Sequence, residues 1–494
     1  MKISQYAIPI AVSVTTAFIL WACENSSSPE QTIPVEESSA SDLNLSSSET
    51  SSTTYESSSS ETFFEDYSNS SIQLEESSSS SFFREYCSSS TMYNNFCGIA
   101  CNSEISSNSE ISSSSEESMP EDSFKEDFRD ECSIGNIPNS YNNAKLPDPF
   151  TMLDGTPVTT ISQWKCRREE LAALLEEVEL GEKPRNPEKV VGSYANGKLT
   201  VTVTDKGNTI SFSVAITGAG TAQSPKPAII GYGGGSLGSS YSGLGIASIS
   251  FNPDDVAPES SRGSGNFYKL YGSSHSAGAL IAWAWGVSRV IDALAVTPEA
   301  GIDVHHLGVT GCSRWGKGAL VAGAFDARIA LVIPQESGSG GASNWRSAAK
   351  DSEAQPLSSA CTEAAWFRSS LCNYKNNVNG LPTDHHFLTG MVAPHGLLVL
   401  DNTGWVWLGE NASYANAMST LEIFKALGSE KDFTYSKAAN HMHCSFPNEN
   451  TDEVQAFVKK YLLDDSSQNT GKIEANGVYY NASDWQDWKT PILQ

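Results

Sequence analysis

Hydrophobic and polar residues alternate one for one in two stretches, "LTVTVT" from Leu199 and "TISFSVAITG" from Thr209. That period of two predicts half-buried antiparallel strands. Four other stretches, "PAIIGYGG", "HLGVTG", "IALVIPQES" and "GLLVLDN", are short unbroken apolar runs that end in turn residues, the pattern of strands buried on both faces of a parallel sheet. Between and around them the spacing shifts to that of helices in "CRREELAALLEEVELG", "GALIAWAWGVSRVIDAL", "KGALVAGAF" and "YANAMSTLEIFKALG". Strands alternating with helices predict an α/β sheet covered on both sides. In such sheets chemistry gathers beyond the carboxyl ends of the strands. Ser313, Glu336 and Asp401 each close or follow one of these runs, and His443 sits in a late loop. No internal repeat is evident.

The N-terminal third follows another rule. Residues 1–22 hold one lysine and an apolar run from Ala7 to Leu20, too short for a comfortable membrane span and placed as export signals are. The run ends Leu20-Trp21-Ala22-Cys23, which resembles the bacterial lipobox, so Cys23 is the expected acylated N-terminus of a membrane-anchored lipoprotein at the outer membrane or cell surface. From Cys23 to Glu131 the chain is a third serine, with 23 acidic and 3 basic residues, a composition that predicts a disordered tether. Residues 132–494, the expected folded domain, hold 35 acidic and 27 basic residues. The net charge of −27 therefore describes the tether, and no basic stripe invites nucleic acid. Export implies an oxidising compartment in which thiols pair. The folded part has six cysteines, Cys132, Cys166, Cys312, Cys361, Cys372 and Cys444, and the tether adds Cys87, Cys97 and Cys101. Spacing alone does not fix their connectivity.

A serine hydroxyl attacks an ester at neutral pH only when a base takes its proton and a third group orients that base. "VTGCSRWGKGAL" has the form of a strand-turn-helix elbow with Ser313 at its apex, although Trp315 stands where the usual G-x-S-x-G has its second glycine. Glycines around a turn serine also occur for structural reasons alone. Chain order adds more. Ser313 is followed by Glu336 in "LVIPQESGSGG", by Asp401 in "LLVLDN" and then by His441 and His443 in "NHMHCSFP". Serine, acid, histidine is the order of the α/β-hydrolase fold. The two histidines also invite a metal reading, but the adjacent Cys444 is expected to be oxidised and no third ligand stands at suitable spacing, so no metal is expected, and a serine esterase mechanism calls for no organic cofactor.

Several ordered stretches resemble the glucuronoyl esterases of carbohydrate esterase family 15. They are Gly311 to Ala319, "ESGSGG" from Glu336, the His443-Cys444 pair, "LPDPFTMLDGTPVTT", "GSGNFYKLYG", "SAGALIAWAWGVSRVIDAL" and "LPTDHHFLTGMVAPHGLLVLDN". The resemblance covers most of the folded part. It implies an α/β-hydrolase fold, a three-layer sandwich around a mostly parallel sheet. It further implies Ser313 as nucleophile, His443 as general base and Glu336 as the orienting acid, with Asp401 as the alternative. Arg314 would support the oxyanion. Lys317, Gln355, Glu363 and Trp407 would bind the uronate: charged and amide groups hydrogen-bond ring hydroxyls, and an indole face packs on sugar C–H groups. A family disulfide would join Cys312 to Cys444, leaving Cys361 with Cys372 and Cys132 with Cys166. His441 and Asp384 are expected to be structural neighbours.

The activity so implied is hydrolysis of the ester between a lignin alcohol and the (4-O-methyl)glucuronoyl side chain of glucuronoxylan, by a monomer. Two other readings stand beside it: another carbohydrate esterase, such as an acetyl xylan esterase, on the same triad; and a non-catalytic surface lipoprotein that binds polysaccharide.

Overall fold

The computed structural model describes residues 124–494 apart from 476. The export signal, Cys23 and the three tether cysteines lie outside the described residues. A nine-stranded sheet runs in the order β1-β2-β3-β5-β4-β6-β7-β8-β9. Its strands are Lys189–Ala195, Lys198–Asp205, Asn208–Thr217, Lys226–Tyr232, Ala247–Phe251, Ile302–Cys312, Ile329–Gln335, Gly396–Asn402 and Phe433–Ala438, numbered β1 to β9. The alternating stretches become β2 and β3, which with β1 form an antiparallel wing. From β5 onward every pairing is parallel.

The unbroken apolar runs are explained by burial on both faces. In β4, Ala228 and Ile230 join one core while Ile229 joins the other; in β8, Leu397 and Val399 separate in the same way from Leu398 and Leu400. The larger core is covered by five-turn and shorter helices that include Ile161–Leu175 (α1), Ala279–Ala295 (α2) and Arg314–Phe325 (α3). A further helix, Glu410–Ala426 (α4), contributes Tyr414, Ala417, Ile423 and Phe424 to that side. The opposite face is closed by Thr451–Leu462 (α5), whose Val454, Phe457, Val458 and Leu462 form one apolar stripe. The result is the expected α/β-hydrolase sandwich. α1 begins with a capping box, in which Thr160 accepts from the Gln163 amide and Gln163 reaches back to Thr160.

The predicted end of the tether at Glu131 is too late. Phe124 packs against the larger core and Glu126 is buried. Glu126 pairs with Lys183 and, at 2.6 Å, with Arg289 of α2. Lys183 also donates to Ser288 Oγ and to the Phe325 carbonyl at the end of α3, both at 2.9 Å. Serine-rich acidic composition hid this contact, because a lone glutamate in an acidic tract looks solvated until its two buried cations are seen. The Glu126 carboxyl is strongly desolvated, yet Lys183 and Arg289 hold it well below the usual carboxylate range. Replacing Glu126 with alanine removes the carboxylate from the buried Lys183 ammonium and leaves Arg289 with Asp292 alone, and a loss of about 3–5 kcal/mol is expected in denaturant unfolding of the full chain. A loss under about 1 kcal/mol would show that the segment does not clamp the domain.

Candidate active site

β6 ends at Cys312 and α3 starts at Arg314, leaving one residue to turn the chain. Ser313 makes that turn at φ 58° and ψ −127°, a strained backbone for a residue with a side chain, as nucleophile elbows require. The turn is held by the Ser313 amide donating to the Gln335 carbonyl at 2.9 Å. The shifted glycine has a steric cause. A Cβ on Gly316 would lie 2.7 Å from the Gln335 carbonyl oxygen, so the close approach of α3 to the end of β7 requires a glycine there. The indole of Trp315 is accommodated because Gly233 faces it; a Cβ there would stand 2.2 Å from the ring.

Glu336 follows β7 in a left-handed conformation, φ 47°, with its amide bonded to the Leu400 carbonyl at 2.7 Å. Its buried carboxylate accepts from four donors: His443 Nδ1 at 2.7 Å, the Cys444 amide at 3.1 Å, Gln335 Nε2 at 3.0 Å and Asn402 Nδ2 at 3.3 Å. Burial alone would raise this carboxyl, but His443, Cys444 and Gln335 outweigh it and keep the group below the ordinary carboxylate range. A carboxylate only accepts, so His443 carries its proton on Nδ1 and leaves Nε2 with the lone pair of a base.

Asp401, the alternative acid, is turned elsewhere. It accepts from the Tyr435 hydroxyl at 3.0 Å and the Asn402 amide at 3.0 Å, and burial raises its carboxyl. Of the two acids, Glu336 is the one whose carboxylate holds the His443 ring. His441 lies 3.9 Å from Glu336 and bonds to Asn402 at 3.2 Å, in keeping with a neighbour's role. Asp384 caps the short helix His385–Gly390 and pairs with Arg346 at 3.0 Å, far from any role with the imidazole.

Disulfides join Cys132 to Cys166, Cys312 to Cys444 and Cys361 to Cys372, with Cα separations of 5.3, 5.6 and 5.7 Å. Three bridges fit an exported protein. The second ties the residue before Ser313 to the residue after His443, so the segments carrying those two side chains share one covalent anchor. A ring nitrogen of His443 and both of these sulfurs lie within 4.8 Å of one another. Both sulfurs are consumed in the bridge, so this cluster is no metal site.

The residues expected to bind the uronate converge around this point. Lys317, one turn beyond Ser313 on α3, is buried, donates to the Ser337 carbonyl and lies 5.6 Å from the centre of the Trp366 ring. Its ammonium is pushed down to about 8 by burial, which Glu363 partly offsets. Gln355 donates to Glu363 at 2.9 Å, and its amide bonds to the Trp407 carbonyl at 3.0 Å. The Trp407 ring meets the His443 ring edge-on at 5.6 Å. Arg314, half exposed, pairs with Glu259 at 3.1 Å. Glu259 and Glu363 both line an open cleft of about 380 Å³.

Residues 201–428 match the family described as glucuronyl esterase, fungi. The 4-O-methyl-glucuronoyl methylesterase of Hypocrea jecorina is 45% identical over 359 residues, 71% of this chain and 77% of that protein. The chain belongs to the glucuronoyl esterases. The Podospora anserina 4-O-methyl-glucuronoyl methylesterase is 43% identical over 73% of this chain and 78% of its own length. Among solved structures, the H. jecorina catalytic domain superposes with a TM-score of 0.69 at 45% identity, covering 73% of this chain and all of that one. A mutant of the Sporotrichum thermophile glucuronoyl esterase in complex with methyl 4-O-methyl-β-D-glucopyranuronate has the same TM-score at 39% identity, over 74% of this chain and all of that one. A family 15 glucuronoyl esterase from Caldicellulosiruptor kristjansonii superposes at 0.62 with 28% identity, covering 72% of this chain and 98% of that one. The curated relatives named are fungal, whereas the N-terminal reading is bacterial.

Four residues of this esterase's site escaped the sequence reading. Asn402 and Gln335 steady the acid, Trp405 donates to the His441 carbonyl at 3.2 Å, and Glu259 holds Arg314. Asn402 follows Asp401 directly at a strand end, a position whose importance periodicity could have flagged; nothing local marks Glu259. With Glu336, and not Asp401, bonded to the imidazole, Glu336→Gln is expected to lower kcat for a glucuronate ester by about 10³–10⁴, while Asp401→Asn stays within about fivefold. Steady-state kinetics giving the reverse order would contradict this assignment.

Proposed function

We propose that this glucuronoyl esterase hydrolyses the ester joining lignin alcohols to (4-O-methyl)glucuronoyl side chains of glucuronoxylan. The observation that carries the mechanism is the 2.7 Å hydrogen bond from His443 to Glu336, anchored by the disulfide that starts beside Ser313. His443 Nε2 removes the Ser313 proton as the oxygen bonds to the uronoyl carbonyl carbon. The negative charge that develops on the carbonyl oxygen is met by Arg314 and by backbone amides at the start of α3; loss of one such donor typically costs on the order of 100-fold. His443 then protonates the departing alcohol, leaving a glucuronoyl ester on Ser313. Water, deprotonated by His443, repeats the attack and releases glucuronate. Lys317, Gln355 and Glu363 supply donors and acceptors for ring hydroxyls, and Trp407 offers a face for C–H groups.

The S. thermophile mutant bound to a methyl 4-O-methylglucuronate ester supports the substrate class. The order of residues 1–123 supports a second element of the reading: export, acylation at Cys23 and a long acidic tether that lets an anchored, monomeric domain reach insoluble plant cell wall. Wild-type protein should release acid from benzyl glucuronate and leave acetylated xylan untouched, and Ser313→Ala should lose at least about 10³-fold in kcat. Full activity in Ser313→Ala, or turnover of acetylated xylan alone, would overturn the assignment. Labelled palmitate incorporated by the wild type and lost in Cys23→Ser checks the anchor.

A further inference from the structure

The carboxylate of Glu259 has no place in the steps above, yet it is committed at both oxygens. Oε1 pairs with the Arg314 guanidinium at 3.1 Å, and Oε2 accepts from the Trp366 indole. Its main-chain carbonyl takes the Ala365 amide at 2.8 Å. The face of Trp366 lies against Lys317, so one side chain braces both cations of the site, one directly and one through an indole.

Charge gives this contact a second consequence. The substrate ester is neutral at its carbonyl, whereas the product is a carboxylate on the same carbon. A site with two unopposed cations would bind product more tightly than substrate. Here Arg314 is paired with the Glu259 carboxylate at 3.1 Å, and Glu363 partly offsets the desolvation of Lys317. Both acids line an open cleft that also carries Arg262 and Arg368.

We infer that Glu259 is a positioning and specificity-determining residue that fixes the Arg314 guanidinium and cancels its charge, so that the esterase favours the neutral ester over its anionic product. The inference rests on the glucuronoyl esterase reading. Arg314 keeps its remaining N–H donors for the oxyanion, which forms only transiently, while the resting product meets a guanidinium whose charge is already paired with Glu259. For a charge taken at roughly 7 Å from a carboxylate, an effective dielectric near 40 corresponds to an affinity change of about three- to tenfold.

Inhibition by D-glucuronate of benzyl glucuronate hydrolysis tests this. In Glu259→Gln, Ki for glucuronate should fall about three- to tenfold, the gain should shrink as salt is raised, and KM for the neutral ester should move less than about twofold. Trp366→Phe, which removes the indole donor and keeps the charge, should leave Ki unchanged. Unaltered Ki in folded Glu259→Gln, or the same tightening in Trp366→Phe, would overturn the inference. Should Glu259→Gln not fold, wild-type protein still decides: glucuronate is expected to bind no more than about threefold tighter than neutral glucuronamide, and a preference above about tenfold refutes charge balance. Failure of the wild type to hydrolyse benzyl glucuronate would instead sink the activity itself.

Discussion

A carboxylate out of reach of water survives as an anion only when donors replace the lost hydration. Glu336 has four, one of them the His443 ring, and the site depends on that contact. It fixes the tautomer of His443, and with it the availability of a basic nitrogen. The remaining architecture serves to keep it in place: the left-handed turn after β7, the Cys444 amide, and the Cys312–Cys444 bridge that prevents the histidine loop from drifting away from β6. A late, otherwise irregular loop would be a poor platform for a base. Covalent attachment to the end of a central strand makes it a rigid one.

The second organising unit is α3. Ser313 turns into it, Arg314 opens it and Lys317 lies one turn along, so the proposed nucleophile, oxyanion arginine and sugar-binding lysine are carried on one element. Burying a lysine and pairing an exposed arginine beside a serine both demand nearby acids, and Glu363 and Glu259 provide them from two separate loops. In the proposed mechanism the same charges would select a sugar acid ester and limit attraction to the acid released. The Glu126 cluster performs a structural version of the same compensation, joining the packed segment at Glu126 to α2 and α3.

Much of this was legible from residue order. Strict alternation located β2 and β3, and unbroken apolar runs located β4, β6, β7 and β8, because strands buried on both faces leave no polar position. β1, β5 and β9 were not found: β1 is a half-exposed edge with mixed residues, β5 intersperses serines, and β9 carries polar Thr434, Ser436 and Lys437. α5 was missed although its stripe is plain once its face on the second core is known. Ser313 and His443 could be named from motifs, but the choice between Glu336 and Asp401 could not, since both close parallel strands and only side-chain direction separates them. Glu126 and Glu259 were illegible for a shared reason. Their partners, Lys183, Arg289 and Arg314, lie 55 or more positions away in sequence, and no periodicity links a charge to a distant counter-charge.

The central claim is that the Nδ1 proton of His443 is shared with Glu336. Proton NMR of the full chain at low temperature measures this directly. A single resonance far downfield of the amide envelope is predicted in wild-type protein, retained in Asp401→Asn and absent from both Glu336→Gln and His443→Ala. A spectrum lacking that resonance, or one in which it vanishes with Asp401 and persists without Glu336, would contradict the account.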